Sequence, residues 1–118
     1  MASSHLPNYL HANRKRLGLS QDEVAFLLGA ENGTKVCRYE RFTREPGFHA
    51  ALACEVVFQR PLRELFAGLY EEIEREVAAR AKRLVLRTDW VKLGNKGSRK
   101  REVLEGIAAP KKRKSQRP

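Results

Sequence analysis

The chain has 118 residues, 32% of them charged and 42% hydrophobic, with 24 Lys and Arg against 14 Asp and Glu for a net charge of +10. That length fits one small domain with extensions, and the charge implies a polyanionic partner. No apolar run approaches the roughly 18 residues of a membrane span, and the opening MASSHLPNYL lacks the basic region and apolar core of a signal peptide, so a soluble cytoplasmic protein is expected.

Taken in chain order, the first expected element is a helix with the stripe Leu6, Leu10, Arg14 and Leu17, Pro7 in its first turn and Gly18 as its stop. A charge lies inside that apolar stripe at Arg14. The second helix opens at Ser20-Gln21-Asp22-Glu23, an S-x-x-E capping box in which Ser20 and Glu23 satisfy each other's backbone amides. Val24, Ala25 and Leu28 form its inner stripe, and Gly29 suits the left-handed position beyond its end.

A third helix, about 32 to 42, starts near the N-cap residue Asn32 and divides into two faces. Val36, Tyr39 and Glu40 point one way, and Thr34, Lys35, Arg38 and Arg41 point the other. The second face is cationic and suits entry into a DNA major groove, with Thr34 and Lys35 near base edges or phosphates and Arg38 able to fork onto guanine. Glu40 on the inner face needs a cation, and Arg14 is the economical candidate, so an Arg14 to Glu40 ion pair is predicted.

These residues carry a family resemblance. Arg14, Gly18-Leu19-Ser20-Gln21, Gly29, Val36-Cys37-Arg38-Tyr39-Glu40, Pro46 and Pro61-Leu62-Arg63-Glu64-Leu65-Phe66 resemble the DNA-binding domain of the Cro and phage-repressor (Xre-type) helix-turn-helix family. The resemblance covers residues 6 to 66. It implies an all-α, five-helix lambda-repressor-like bundle in which Gln21 sits at the DNA backbone or steadies the third helix and residues of the Gly33 to Arg38 stretch read bases. It also implies the Arg14 to Glu40 pairing. Gly29 to Glu40 is one residue longer than the family's usual turn plus helix, which can shift base-reading assignments near Asn32 and Gly33 by a position.

On this reading the DNA-binding residues are Gln21, Asn32, Gly33, Thr34, Lys35, Arg38, Arg41 and Arg44, and residues 1 to 66 form the DNA-binding domain. Phe48 to Phe58 has Glu55 as its sole charge and reads as a helix buried on more than one side. Pro61 to Phe66 reads as a short fifth helix that completes the core.

Residues 67 to 91 are expected to hold a long amphipathic helix over 69 to 87, with apolar residues at 69, 73, 77, 81 and 84 and an i,i+4 pair of Glu76 with Arg80. Its stripe can fold back on the bundle or pair with a second chain, giving a homodimer that reads two half-sites. Residues 92 to 118 hold ten Lys and Arg against two Asp and Glu, so the three segments contribute +2, 0 and +8. This last segment is expected to be a mostly disordered basic tail, with a short helix from Arg99 to Ile107 and non-specific phosphate contacts from Lys111, Lys112, Arg113 and Lys114. The same run resembles a nuclear-import signal, although a plain basic tail is the simpler reading.

Other chemistry finds no support in the spacing. His5, His11 and His49 have no metal-ligand spacing with each other or with Cys37 and Cys54, so no metal site, cofactor or small-molecule ligand is expected. No nucleophile elbow or phosphate loop occurs, which argues against an enzyme. The leading function is a sequence-specific DNA-binding regulator, most simply a repressor. The alternatives are an antitoxin-like or partner-binding protein that uses the 69 to 87 helix, and non-specific nucleic-acid binding led by the tail.

Overall fold

The computed structural model describes residues 6 to 109, and among these every regular element is helical. They divide into two units on either side of the junction between Glu72 and Ile73. That junction falls inside a helix, Ala67–Arg87.

In the first unit, α1 (Leu10–Leu17), α2 (Gln21–Leu28), α3 (Gly33–Glu40), α4 (Phe48–Phe58) and α5 (Leu62–Leu65) close around one core. Phe58, Leu65, Val24 and Cys54 are fully buried at its centre, with Leu10, Leu28, Val36, Tyr39 and Phe66 around them. Each large side chain so placed contributes about 1.5 to 3 kcal/mol of transfer free energy. Such short helices depend on this shared core, since two turns alone do not repay the cost of helix nucleation.

The helix ends follow local chemistry. Ser20 Oγ accepts from the amide of Glu23 and Glu23 Oε1 accepts from the amide of Ser20, completing the capping box at α2. Gly18 and Gly29, at φ 72° and 79°, close α1 and α2 in the left-handed conformation. Glu55, the one charge in α4, accepts from the amide of Leu62 and so satisfies the start of α5.

Two expectations about this unit are corrected. The first helix begins at Leu10 rather than Leu6, because the Asn8 side chain accepts from the Leu10 amide and donates to the Tyr39 carbonyl, fixing the chain outside the helix. Residues 6 to 9 instead run beside α5 and the next helix: the Tyr9 amide donates to the Leu65 carbonyl, and the Gly68 amide donates to the Leu6 carbonyl. Nor is α4 buried on more than one side. Cys54 and Phe58 face the core, but Phe48, Leu52 and Val56 are exposed, because the short helices around α4 cover only part of its circumference.

α6 (Ala67–Arg87) carries the chain across the boundary between the units. Among the described residues, Glu76 and Arg80 form no ion pair with each other, whereas Arg101 and Glu105 form an i,i+4 pair. α7 (Trp90–Leu93) follows, capped by the Asp89 carboxylate on the Lys92 amide, then a 3-10 turn over Gly94–Lys96, then α8 (Gly97–Ala108).

The expectation of a mostly disordered segment from residue 92 therefore fails as far as residue 108, and the short helix expected over 99 to 107 is longer. Trp90 supplies the reason. Its indole N–H donates to the Val85 carbonyl, its ring stands against Gly97, and the Arg101 guanidinium lies 5.4 Å from the ring centre. One aromatic side chain thus gathers the end of α6, α7 and the start of α8. The expected contacts from Lys111, Lys112, Arg113 and Lys114 lie outside the described residues.

Candidate nucleic-acid interface

The interface begins with how α3 is held. Its Glu40 carboxylate accepts from Arg14 Nε at 2.5 Å and Nη2 at 3.2 Å, and from Gln21 Nε2 at 3.1 Å, with His11 Nδ1 3.2 Å away. One carboxylate therefore ties α1, α2 and α3 together. The ion-paired side chains are only 8% exposed for Arg14 and 5% for Glu40. Arg14 also donates to the Leu19 carbonyl, so its guanidinium fixes the α1–α2 turn as well.

Burial works to raise the Glu40 pKa, but the hydrogen bonds from Arg14, Gln21 and His11 outweigh it and hold the carboxyl below its ordinary value. The Glu40 hydrogen bond in turn holds the Arg14 pKa above its ordinary value. Both members therefore remain charged through the neutral range.

A second contact fixes the start of α3 against α2. The Gly33 N–H donates to Asp22 Oδ1 at 2.7 Å, while Asn32 Oδ1 accepts from the Thr34 amide. A Cβ at position 33 would lie 2.9 Å from the Gln21 Cβ and 3.0 Å from the Asp22 backbone nitrogen. Only glycine permits this approach of the two helices.

This geometry redistributes the residues expected to touch DNA. Gly33 is buried against α2 and presents nothing outward, and the Asn32 side chain is committed to its cap. Gln21 is half-buried, and its Nε2 donates to Glu40. Thr34, Lys35, Arg38 and Arg41 are all exposed, with Thr34, Arg38 and Arg41 following the i, i+4, i+7 spacing of one helix face.

Arg44 is also exposed, in the loop after α3. That loop turns back on the helix, with the Thr43 amide and hydroxyl donating to the Arg38 carbonyl. Phe42 takes a left-handed conformation at φ 57° to make the turn. Among the described residues, the side chains of Lys35, Arg38, Arg41 and Arg44 form no hydrogen bond or ion pair, whereas Arg14 and Arg16 are bonded within the unit. The four outward cations are thus available to an external anion.

Ser20, Gln21, Thr34, Cys37, Arg38 and Arg41 line an open groove between the start of α2 and α3. Cys37 is half-buried there, while burial of Cys54 pushes its thiol up to about 11, so it acts as a small core hydrophobe. Asp22 and Asn8 are the structural contributors that sequence reading missed. A helix-start aspartate beside a glycine eleven residues later, and an asparagine before a helix, are too common to single out.

The described residues contain no group of three or more His, Cys, Asp and Glu placed to hold a metal ion, and no helix long and apolar enough to cross a membrane. Compared with known proteins, the chain matches no family model, no curated protein and no solved structure.

Proposed function

We propose that the chain is a sequence-specific DNA-binding regulator, in its simplest form a repressor that occupies an operator and excludes polymerase. On this reading α1 to α5 are a lambda-repressor-like bundle, α2 and α3 its helix-turn-helix, and α3 the helix that enters the major groove. The protein acts by binding, without catalysis or a cofactor, on the DNA of the cytoplasmic nucleoid.

One observation carries the reading: the opposed commitments of the two faces of α3. Its inner face is fixed by Val36, Tyr39 and the Glu40 network, and its outer face presents Thr34, Lys35, Arg38 and Arg41. A reading helix needs this combination, because base recognition requires side chains held in register by a rigid scaffold and free to donate. Arg38 is the residue assigned to a base edge, with Lys35, Arg41 and Arg44 on phosphates.

Selection of bound duplexes from a random DNA pool tests the proposal. An enriched motif that is lost on replacing Arg38 supports it, and a pool that remains random after repeated rounds overturns it.

A second reading rests on the half-exposed Ile73 and Val77 of α6, whose stripe favours a protein contact by a second copy of the chain. Light scattering after size exclusion distinguishes the two states. Homodimerisation predicts a doubled mass that Ile73→Glu returns to the monomer value.

A further inference from the structure

The second unit holds the greatest concentration of charge in the chain. Residues 80 to 101 contain nine Lys and Arg against one acid, Asp89, for a net charge of +8. This stretch is largely helical, and Trp90 fastens its parts into one corner. Asp89 spends its carboxylate on the Lys92 amide. Among the described residues, the one ion pair that involves this stretch joins Arg101 to Glu105, outside it.

The cations are also ordered by the helices. Arg80, Arg83 and Arg87 fall at i, i+3 and i+7 on α6, on a face to one side of the Ile73, Val77 and Ala81 stripe. This row spans about 10 Å of helix. Phosphates of one strand recur about every 3.4 Å along a duplex axis while winding around it, so the row is long enough to meet more than one of them. Lys92, Lys96 and Lys100 are exposed around the Trp90 corner.

We infer that residues 80 to 101 form a second phosphate-binding surface, which holds the backbone of a double-stranded nucleic acid without reading its sequence. Arginine forks and lysine ammoniums on a rigid frame suit phosphate oxygens. A lipid surface fits less well, because the one tryptophan that would sit among headgroups is committed to Val85, Gly97 and Arg101. An acidic protein fits less well too, since Leu86 and Val91 are exposed singly, with no apolar centre that a protein interface would desolvate. The inference stands whether or not α3 reads bases. If α3 does, this surface raises the local concentration of DNA at the reading helix through the covalent link of α6.

The experiment uses the full chain with Arg83→Gln, Arg87→Gln, Lys96→Gln and Lys100→Gln together, all at exposed positions. Binding is measured across a salt series to duplex DNA of scrambled sequence, to duplex RNA and to phosphatidylserine vesicles. The expected result is a loss of about tenfold or more on duplex DNA, with the salt slope shallower by about 0.9 for each phosphate contact removed. The charge-keeping set Arg83→Lys, Arg87→Lys, Lys96→Arg and Lys100→Arg retains binding. An equal loss on duplex RNA assigns the surface to phosphates common to both acids, and a loss on DNA alone assigns it to B-form geometry; either upholds the inference. Unchanged affinity and slope on both duplexes, or a loss confined to vesicles, overturns it. Arg38→Ala, assayed on the same scrambled DNA, separates this result from the fate of α3.

Discussion

Gly33 and Asp22 hold the two helices of the candidate interface at a separation no larger residue permits: the Gly33 N–H donates to Asp22 Oδ1 at 2.7 Å, and a Cβ at position 33 would lie 2.7 Å from that same oxygen. The aspartate can swing away, but the Asp22 backbone nitrogen and the Gln21 Cβ cannot readily do so. Gly33→Ala should therefore destabilise the first unit by about 1 to 3 kcal/mol, the usual cost of overpacking. Urea unfolding measures it. A midpoint equal to that of the parent would show that the helices separate freely.

The Arg14 and Glu40 pair should be costly to break from one side. Arg14→Ala leaves a buried carboxylate with only Gln21 and His11 beside it, and a loss of about 3 to 5 kcal/mol is expected. Lys15→Ala, one position along the same helix and exposed, should cost little. Equal melting temperatures for the two variants would remove the ion pair from the account of stability.

Acid should undo the same network. The Glu40 pKa is lower in the folded state than the ordinary value of 4.5, so the folded state favours the ionised form. Its contribution is therefore fully present above the ordinary carboxylate range and is lost as pH falls through the lowered folded pKa. Replacing Glu40 by Gln should flatten that part of the stability profile. Chemical denaturation from neutral pH down to about pH 3 follows it, and profiles that stay parallel over the whole range would contradict the assignment.

For DNA recognition, Arg38→Ala should cost about 1 to 3 kcal/mol on the selected site and relax preference at one base pair. Lys35→Ala, assigned to a phosphate, should weaken selected and scrambled duplexes alike and make the salt slope shallower. Competition binding on both duplexes distinguishes the two patterns. Parallel losses on the two DNAs for Arg38→Ala would rule out base reading at that position.

What could be read from the sequence were features whose physics is local or periodic. The Ser20 and Glu23 box, the glycine stops at 18 and 29 and the two faces of α3 depend on residues within a few positions of one another. The Arg14 and Glu40 contact was legible for a different reason: a charge in an apolar stripe needs a partner, and only one of opposite sign lay on a neighbouring inner face. Residues whose roles cross between elements were not legible. Asp22 had an adequate local role at a helix start, and nothing in its neighbours foretold that its oxygen would meet the Gly33 amide.

The second unit sharpens the same distinction. Composition alone made residues 92 to 118 look too polar to fold, since few apolar residues are set among many cations. Yet Trp90 lies just before that segment, and its ring provides α7 and α8 with a surface that no window of composition contains. The sequence by itself determined the all-helical class, the helix ends and the total charge, because propensity, capping and charge are properties of residues and their near neighbours. Only the tertiary structure decided that Gly33 turns inward, that Gln21 serves Glu40 and that the cations of residues 80 to 101 stand on a folded frame, because each depends on contacts between segments whose approach a local pattern does not specify.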